Sequence, residues 1–347
     1  MLKVAMLSFC LSALCSGLLY LWAPRLKLVD EPNDRRMNRI PLANGGGIAI
    51  VLGVLSTFLL NRWGSVFNIL PVILILGLGV YDDIYELRPL PKLIGQIIIA
   101  VIAVAGGVLI ESVTSPFTGQ AYILGWLAYP LTVIWIVAVV NVMNIVDGLD
   151  GLTGGISLSI CLFLYISLKG LSLDHDSVLV VSTAAAVSGF LPFNFPRAKL
   201  ILGDAGAMSL GFMLAVLLSR LSRAQAFNPA VIFIVLAVPI LDTCWAIYRR
   251  TCRGIPFYIG DREHVHHRLA QKMGSSATAS ALLITVSFLG SGVALGLGYI
   301  PVWMSPLAAL LIAYAYTQVA LWLGVIPTEA WDKETVYTRA FRRGGSQ

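Results

Sequence analysis

A chain of 347 residues with 58% hydrophobic and 12% charged side chains is not an ordinary soluble globule, because soluble domains carry about 25% charged residues. Its apolar residues arrive in blocks of roughly 16 to 23, most of them long enough to cross ~30 Å of hydrocarbon, and the short alternating segments of a membrane barrel are missing. The net charge of +6 comes without the basic, aromatic-interleaved stretch that nucleic acid requires, and five scattered cysteines (Cys10, Cys15, Cys161, Cys244, Cys252) give neither a disulfide framework nor a cysteine metal site.

The expected fold is all-α, a polytopic transmembrane bundle of about eleven spans, at approximately 3–23, 44–61, 66–81, 92–111, 121–141, 153–170, 177–193, 204–220, 230–248, 277–298 and 302–324. The first span reads as a transmembrane helix rather than a cleaved leader, since no small-residue cleavage site precedes Pro24. With the loop after it placed in the cytoplasm, only Lys3, Arg62, Lys169, Arg220 and Arg223 of the 24 basic residues fall outside. That bias sets the N-terminus outside, the C-terminus inside and the active-site loops in the cytoplasm. Of the 18 acidic residues only Glu111, Asp174 and Asp176 fall outside, so the chemistry is expected on the inner face. The whole of 1–347 reads as one membrane domain, with a large cytoplasmic loop at 249–276 and a short cytoplasmic tail at 325–347.

The first polar group in chain order is Asp82-Asp83-x-x-Glu86, followed by Lys92. Adjacent carboxylates at a membrane boundary need a cation or a proton to neutralise them. A solvated helix end paired to Arg88 and Lys92 is one reading; a hard divalent cation, which prefers oxygen ligands, is the other.

The second is Asn141-x-x-Asn144-x-x-Asp147-Gly148-x-Asp150-Gly151. Polar side chains at every third position share one face within a helical turn. A single Asn would suit a polar seam between helices, but two Asn and two Asp have no packing rationale. The third group is Asn194, Lys199 and Gly203-Asp204-Ala205-Gly206, where Asp204 opens an apolar span and free backbone N–H groups are expected to be available to an anion; an ordinary capping aspartate fits as well. The fourth is Asp261-Arg262-Glu263-His264-Val265-His266-His267-Arg268, which holds three of the four histidines. Its order is not that of a zinc helix motif, and histidines beside arginines suit phosphate or sugar hydroxyls better. Asp242, inside the ninth span, is a buried carboxylate and hence a functional candidate or a structural partner for an inner-loop base. Gly45-Gly46-Gly47 lacks the Lys-Ser/Thr of a phosphate loop and reads as close helix packing. Together these groups point to phosphoryl transfer, in which a metal, cationic side chains and positioning supply most of the catalysis.

In these blocks, from Val29-Asp30-Glu31-Pro32-Asn33 to His267-Arg268-Leu269, the chain resembles the polyprenyl-phosphate N-acetylhexosamine-1-phosphate transferase family, of the glycosyltransferase family 4 type. The blocks are Asp82-Asp83-x-x-Glu86, the Asn141 to Gly151 series, Asn194 to Gly206, Pro239-x-x-Asp242 and His264-x-His266-His267. The last is similar to the branch that starts O-antigen, common-antigen or teichoic-acid linkage units. The phospho-N-acetylmuramoyl-pentapeptide branch, which has three consecutive histidines, is the alternative.

The resemblance implies attack of a polyprenyl phosphate lipid on a UDP-N-acetylhexosamine, by default UDP-GlcNAc, to give polyprenyl-diphosphate-sugar and UMP. It implies Mg²⁺, with Mn²⁺ as a substitute, held by Asp204 with Asn144. Asp82 and Asp83 would position or deprotonate the lipid phosphate, and Asp147 and Asp150 would assist the centre or contact the nucleotide. Lys92, Asn141, Asn194, His264, His266 and His267 would bind substrate, and a second copy of the chain is a candidate partner. Departures are Arg36-Met37-Asn38 where a histidine is usual, Glu86 for Asp, and Gly206-Ala207 for Gly-Ser. An aspartate-rich intramembrane prenyltransferase stays open beside this reading, although it leaves the histidines without a role. A CDP-alcohol phosphotransferase and a transporter fit less well.

Overall fold

A computed structural model describes residues 1–26, 28–30, 41–61, 66–170, 174–224, 226–256 and 263–326. Arg36-Met37-Asn38, Asp261, Arg262 and the tail from 327 lie outside the described residues. Thirteen α-helices follow one another among those described: α1 (Leu2–Leu26), α2 (Gly46–Asn61), α3 (Val66–Tyr85), α4 (Pro89–Ala105), α5 (Ala128–Val146), α6 (Leu152–Gly170) and α7 (Asp174–Asn194). Then come α8 (Gly203–Ser219), α9 (Pro229–Val235), α10 (Ala237–Cys252), α11 (Val265–Met273), α12 (Ser276–Gly296) and α13 (Met304–Trp322). The protein is a multi-pass helical membrane protein. Among the described residues, seven stretches are long and apolar enough to cross a bilayer, or eight if the bent pair α9–α10 is one span. The apolar segments expected near 44–61 and 92–111 form α2 and α4, of 16 and 17 residues, at the short limit for a crossing.

The span expected at 230–248 is broken: α9 and α10 meet at 87°. Pro239 explains the break, because its ring lacks an N–H and clashes with the carbonyl four residues back, at Val235, where α9 ends. Asn228 caps α9 by accepting from Ala230 N–H at 3.0 Å, and Pro229 occupies the first helical position.

Helix α8 is the centre of the bundle. Every residue from Ala205 to Ser219 is buried, as an all-apolar helix requires. It packs against α2, α3 and α5. Glycines set the distance: a Cβ on Gly47 would fall 2.2 Å from Gly206 N, and one on Gly79 would fall 2.4 Å from Ala205 Cα. The glycine triplet is therefore a packing surface, as read from its sequence.

The all-α expectation needs one correction. Among the described residues two small sheets are present, one of β1 (Val29–Asp30), β2 (Leu42–Asn44) and β5 (Leu200–Ile201), the other of β3 (Ser112–Thr114) and β4 (Ala121–Ile123). Strands of two or three residues carry no period-two pattern, so nothing in the sequence announces them. Strand β2 pairs antiparallel with β1 and parallel with β5, and Gly47 N–H continues the pairing by donating to Leu202 O at 3.1 Å. This sheet fixes the start of α2 beside the start of α8. The β3–β4 hairpin takes up residues expected to begin the fifth span, so α5 starts later and carries Asn141 and Asn144 within its last two turns. At that hairpin end Trp126, Tyr299 and Trp303 are exposed, in the manner of aromatic residues at a membrane interface.

Candidate active site

A cavity of about 870 Å³ opens where α3, α4, α5, α8 and α10 converge. It is lined by Asp83, Lys92, Asn141, Asn144, Asp147, Asp150, Asn194, Asp204, His264 and His267. Of the residues expected at the site, Asp82 and His266 stand behind this lining.

The centre is built on Lys92, in the first turn of α4. Its Nζ lies 2.6 Å from Asp82 Oδ2, 2.9 Å from Asp204 Oδ1 and 3.2 Å from Asn144 Oδ1. Asn144 Nδ2 donates to the same Asp204 oxygen at 2.7 Å. Asp82 reaches this position because the chain reverses after α3: Glu86 takes φ 46°, and Leu87 N–H donates to Asp82 Oδ1 at 2.8 Å. Pro89 then starts α4 in the returning direction.

Asp83 does different work. Its two carboxylate oxygens accept Asp204 N–H at 2.9 Å and Ala205 N–H at 3.1 Å, and the Asn44 amide also bonds to it. The expectation of free N–H groups at the start of α8 is corrected for two of them: those of Asp204 and Ala205 hold Asp83 of the same chain. A carboxylate at a helix N-terminus is favoured by the helix dipole and by charge-assisted hydrogen bonds.

The series starting at Asn141 is helical only to Val146; Asp147 ends α5 and Gly151 takes φ 75° in the turn to α6. Asn141 donates to Gln96 Oε1 at 2.6 Å and to Val137 O at 2.8 Å. Burial pushes the Asp147 carboxyl up to about 7, and the nearby Asp204 and Asp83 charges add to the effect. Burial also raises Asp150, opposed by Ala198 N–H, which donates to it at 2.9 Å. Asn194 ties this turn to the strand: its Oδ1 accepts Gly151 N–H at 2.8 Å and its Nδ2 donates to Leu200 O at 3.0 Å.

On the far wall, α11 and its N-cap residue His264 carry the histidines. Asp242 Oδ1 accepts Val265 N–H at 2.8 Å and lies 3.3 Å from His264 Nδ1, while its Oδ2 lies 2.5 Å from His266 Nδ1. Glu263 anchors the loop with a forked pair to Arg253 (2.8 and 2.9 Å) and a bond to Arg268 (3.1 Å). The Arg253 guanidinium, and after it that of Arg268, holds the Glu263 carboxyl below its ordinary value.

The residues present suit a hard divalent cation. Three oxygens, from Asp82, Asp204 and Asn144, already surround one positive charge, the Lys92 ammonium, and carboxylate and amide oxygens are what Mg²⁺ takes. Asp204 and Asn144 line the cavity and could hold it; both Asp83 oxygens are engaged by backbone. Asn44, Gln96 and Arg250 join the site only through the tertiary structure. Gln96 and Arg250 lie in otherwise apolar or generally basic stretches, and only Asn44, directly before the glycine triplet, carried a signal.

A family model described as Glycosyl transferase family 4 matches residues 65–222. The chain is 33% identical to the "Probable undecaprenyl-phosphate N-acetylglucosaminyl 1-phosphate transferase" of Bacillus subtilis (strain 168), over 82% of this chain and 81% of that protein. It is 34% identical to the decaprenyl-phosphate N-acetylglucosaminephosphotransferase of Mycobacterium leprae (strain TN), over 78% and 76%. With the undecaprenyl-phosphate alpha-N-acetylglucosaminyl 1-phosphate transferase of Salmonella typhi it shares 28% identity over 92% and 89%. The 33% identity to the first of these over most of both chains, together with the family match, establishes that the chain belongs to glycosyl transferase family 4.

Proposed function

We propose that the protein transfers N-acetylglucosamine-1-phosphate from UDP-GlcNAc to a polyprenyl phosphate, releasing UMP. The lipid phosphate oxygen forms a bond to the sugar-side phosphorus, and the bond from that phosphorus to the bridging oxygen breaks, so that oxygen leaves with UMP. The names of the relatives support the acceptor and the sugar. The observation that carries the reading is the Lys92–Asp204–Asn144 cluster lining a cavity framed by apolar helices.

A bound Mg²⁺ would neutralise phosphate charge as it develops. Asp204, with Asn144 beside it, is the proposed ligand set. Lys92 supplies a fixed positive charge toward the phosphates, and Asp82 orients that lysine from behind. Asp83 holds the N-terminus of α8, and with it Asp204, in place. A phosphate monoester has its second pKa near ~6, so at neutral pH the lipid phosphate is already largely ionised and direct attack needs no strong base. Asp147 and Asp150 then contact the nucleotide or assist the centre, with Asn141 and Asn194 shaping the pocket. His264 and His267 hold the sugar nucleotide from the α11 side, and His266 supports them.

We further propose about eleven membrane crossings with the cavity facing the cytoplasm, the N-terminus outside and the C-terminus inside, in the cell membrane. The asymmetry of basic residues supports this orientation. Assembly as a homodimer belongs to the same proposal. The activity is tested by UMP release from UDP-GlcNAc in the presence of polyprenyl phosphate and Mg²⁺ with purified protein in detergent. Release that needs the lipid phosphate is the expected result, and UMP formed without it, or none at all, refutes the proposal.

A further inference from the structure

The carboxylate of Asp242 is 1% exposed, sits in the second turn of α10 just past the bend, and takes three donors from α11 and its N-cap residue. None of the steps above uses it. Both of its imidazole contacts are to Nδ1 atoms, and the two rings lie nearly parallel, 5.2 Å apart at 20°. The third contact, Val265 N–H, sets the first turn of α11 on the same carboxylate.

The protons follow from the chemistry of the partners. Arg250 Nη2 lies 3.3 Å from His264 Nε2. A guanidinium can only donate, so Nε2 accepts; an ionised carboxylate can only accept, so Nδ1 carries the proton. His264 is thereby held as the neutral Nδ1–H tautomer, with its Nε2 lone pair turned toward Arg250. His266 is fixed in the same way at Nδ1. Among the described residues its Nε2 is buried without a hydrogen-bond partner, and it rests against Gly148, where an added Cβ would fall 2.3 Å from it. The ring thus fills the space next to the turn that carries Asp147 and Asp150.

Asp242, His264 and His266 also form a group compact enough to suggest a metal, with ligand atoms within 4.8 Å of one another. Both Nδ1 atoms face the Asp242 carboxylate at hydrogen-bonding separation, and Nδ1–H donation to its two oxygens accounts for the grouping.

We infer that Asp242 is the positioning residue of the histidine wall: one carboxylate selects the tautomers of His264 and His266 and docks α11 against the Asp147–Gly148 turn. The inference rests on the proposed function in taking that wall to hold the UDP-sugar.

The test is Asp242→Asn, which keeps size and shape but presents an N–H where an acceptor is needed, so one imidazole must switch tautomer. The expected result is a KM for UDP-GlcNAc raised about 10- to 100-fold, the loss typical of removing a carboxylate behind a working histidine. KM for the polyprenyl phosphate should stay near that of the wild type, while the melting midpoint falls modestly because a buried acceptor is replaced by a donor. Placing Asp242→Asn in a His264→Ala/His266→Ala background should add no further loss, as expected when residues act through one another. A wild-type KM for UDP-GlcNAc in Asp242→Asn, or a full additional loss in the combined variant, overturns the inference. Should the variant fail to fold, ¹⁵N-histidine spectra of the wild-type protein decide independently of turnover. Neutral Nδ1–H signals for His264 and His266 support the assignment, and an Nε2–H tautomer at His264 overturns it. Wild-type protein with the expected tautomers but no UMP release would sink the proposed activity instead.

Discussion

Lys92 Nζ lies 2.9 Å from Asp204 Oδ1 across 112 residues of chain, joining the first turn of α4 to the first turn of α8. The same ammonium also holds Asp82 and Asn144, so a single side chain gathers three of the polar blocks separated by apolar helices. Removing either end of this contact should be felt in turnover before it is felt in folding. For Asp204→Asn we expect UMP release to fall at least about 10²–10³-fold, the scale of losing one fixed charge-stabilising group. Elution and melting in detergent should stay unchanged. Normal turnover in this variant would remove Asp204 from the proposed metal set.

Chelation gives a second test. EDTA should abolish UMP release, and added Mg²⁺ or Mn²⁺ should restore it, because the oxygen donors around Lys92 suit both ions. Activity that survives exhaustive chelation contradicts a divalent requirement.

Glycine packing can be tested without reference to chemistry. Gly47→Ala drives a methyl group to 2.2 Å from Gly206 N, a contact with backbone that no rotamer relieves. Overpacking of this kind costs about 1–3 kcal/mol, so the melting midpoint should drop. Gly77→Ala, whose Cβ meets nothing within 4 Å, is the matched control and should leave it unchanged. Equal midpoints for the two variants would refute the close α2–α8 approach.

Asn194→Ala removes both an acceptor for Gly151 N–H and a donor to Leu200 O. Leaving buried backbone groups unpaired costs about 1–3 kcal/mol. Lower stability should therefore accompany lost activity, measured as melting midpoint and UMP release on the same sample. Unchanged stability with lost activity would instead make Asn194 a direct substrate ligand.

Glu263 links α10 to the segment leading into α11 through Arg253 and Arg268. Its carboxyl is held below its ordinary value, so this contribution is fully present above the unfolded-state pKa of about 4.3. It is lost as pH falls through the lower folded-state value. At neutral pH Glu263→Gln should thus lose up to about 1 kcal/mol of loop docking, a small figure because the pairs are partly exposed. KM for UDP-GlcNAc is expected to rise modestly. A variant identical to wild type at pH 7 would show that the arginines dock the loop without it.

Much of the site was legible because polar groups stand out against apolar surroundings. Asp82, Asp83, Asn144, Asp147 and Asp204 each interrupt hydrophobic sequence at a helix end, where an unpaired charge is costly. Two readings failed for reasons of long-range pairing. The N–H groups of α8 read as available to a ligand, but Asp83 occupies those of Asp204 and Ala205. The ninth span looked continuous, but Pro239 breaks it at the residue four positions earlier. The strands could not be anticipated, since pairs such as Ala43 with Leu200 depend on which segments meet.

The sequence alone determined the membrane class, the apolar segments and the residue types of the site, because hydropathy and local charge act over one or two helical turns. Only the tertiary structure decided which oxygens face Lys92, which carboxylate closes the α8 terminus and which atom of each histidine is tied to Asp242. Hydrogen bonds have a reach of about 3 Å, and that distance is set by how the helices pack around α8, not by spacing along the chain.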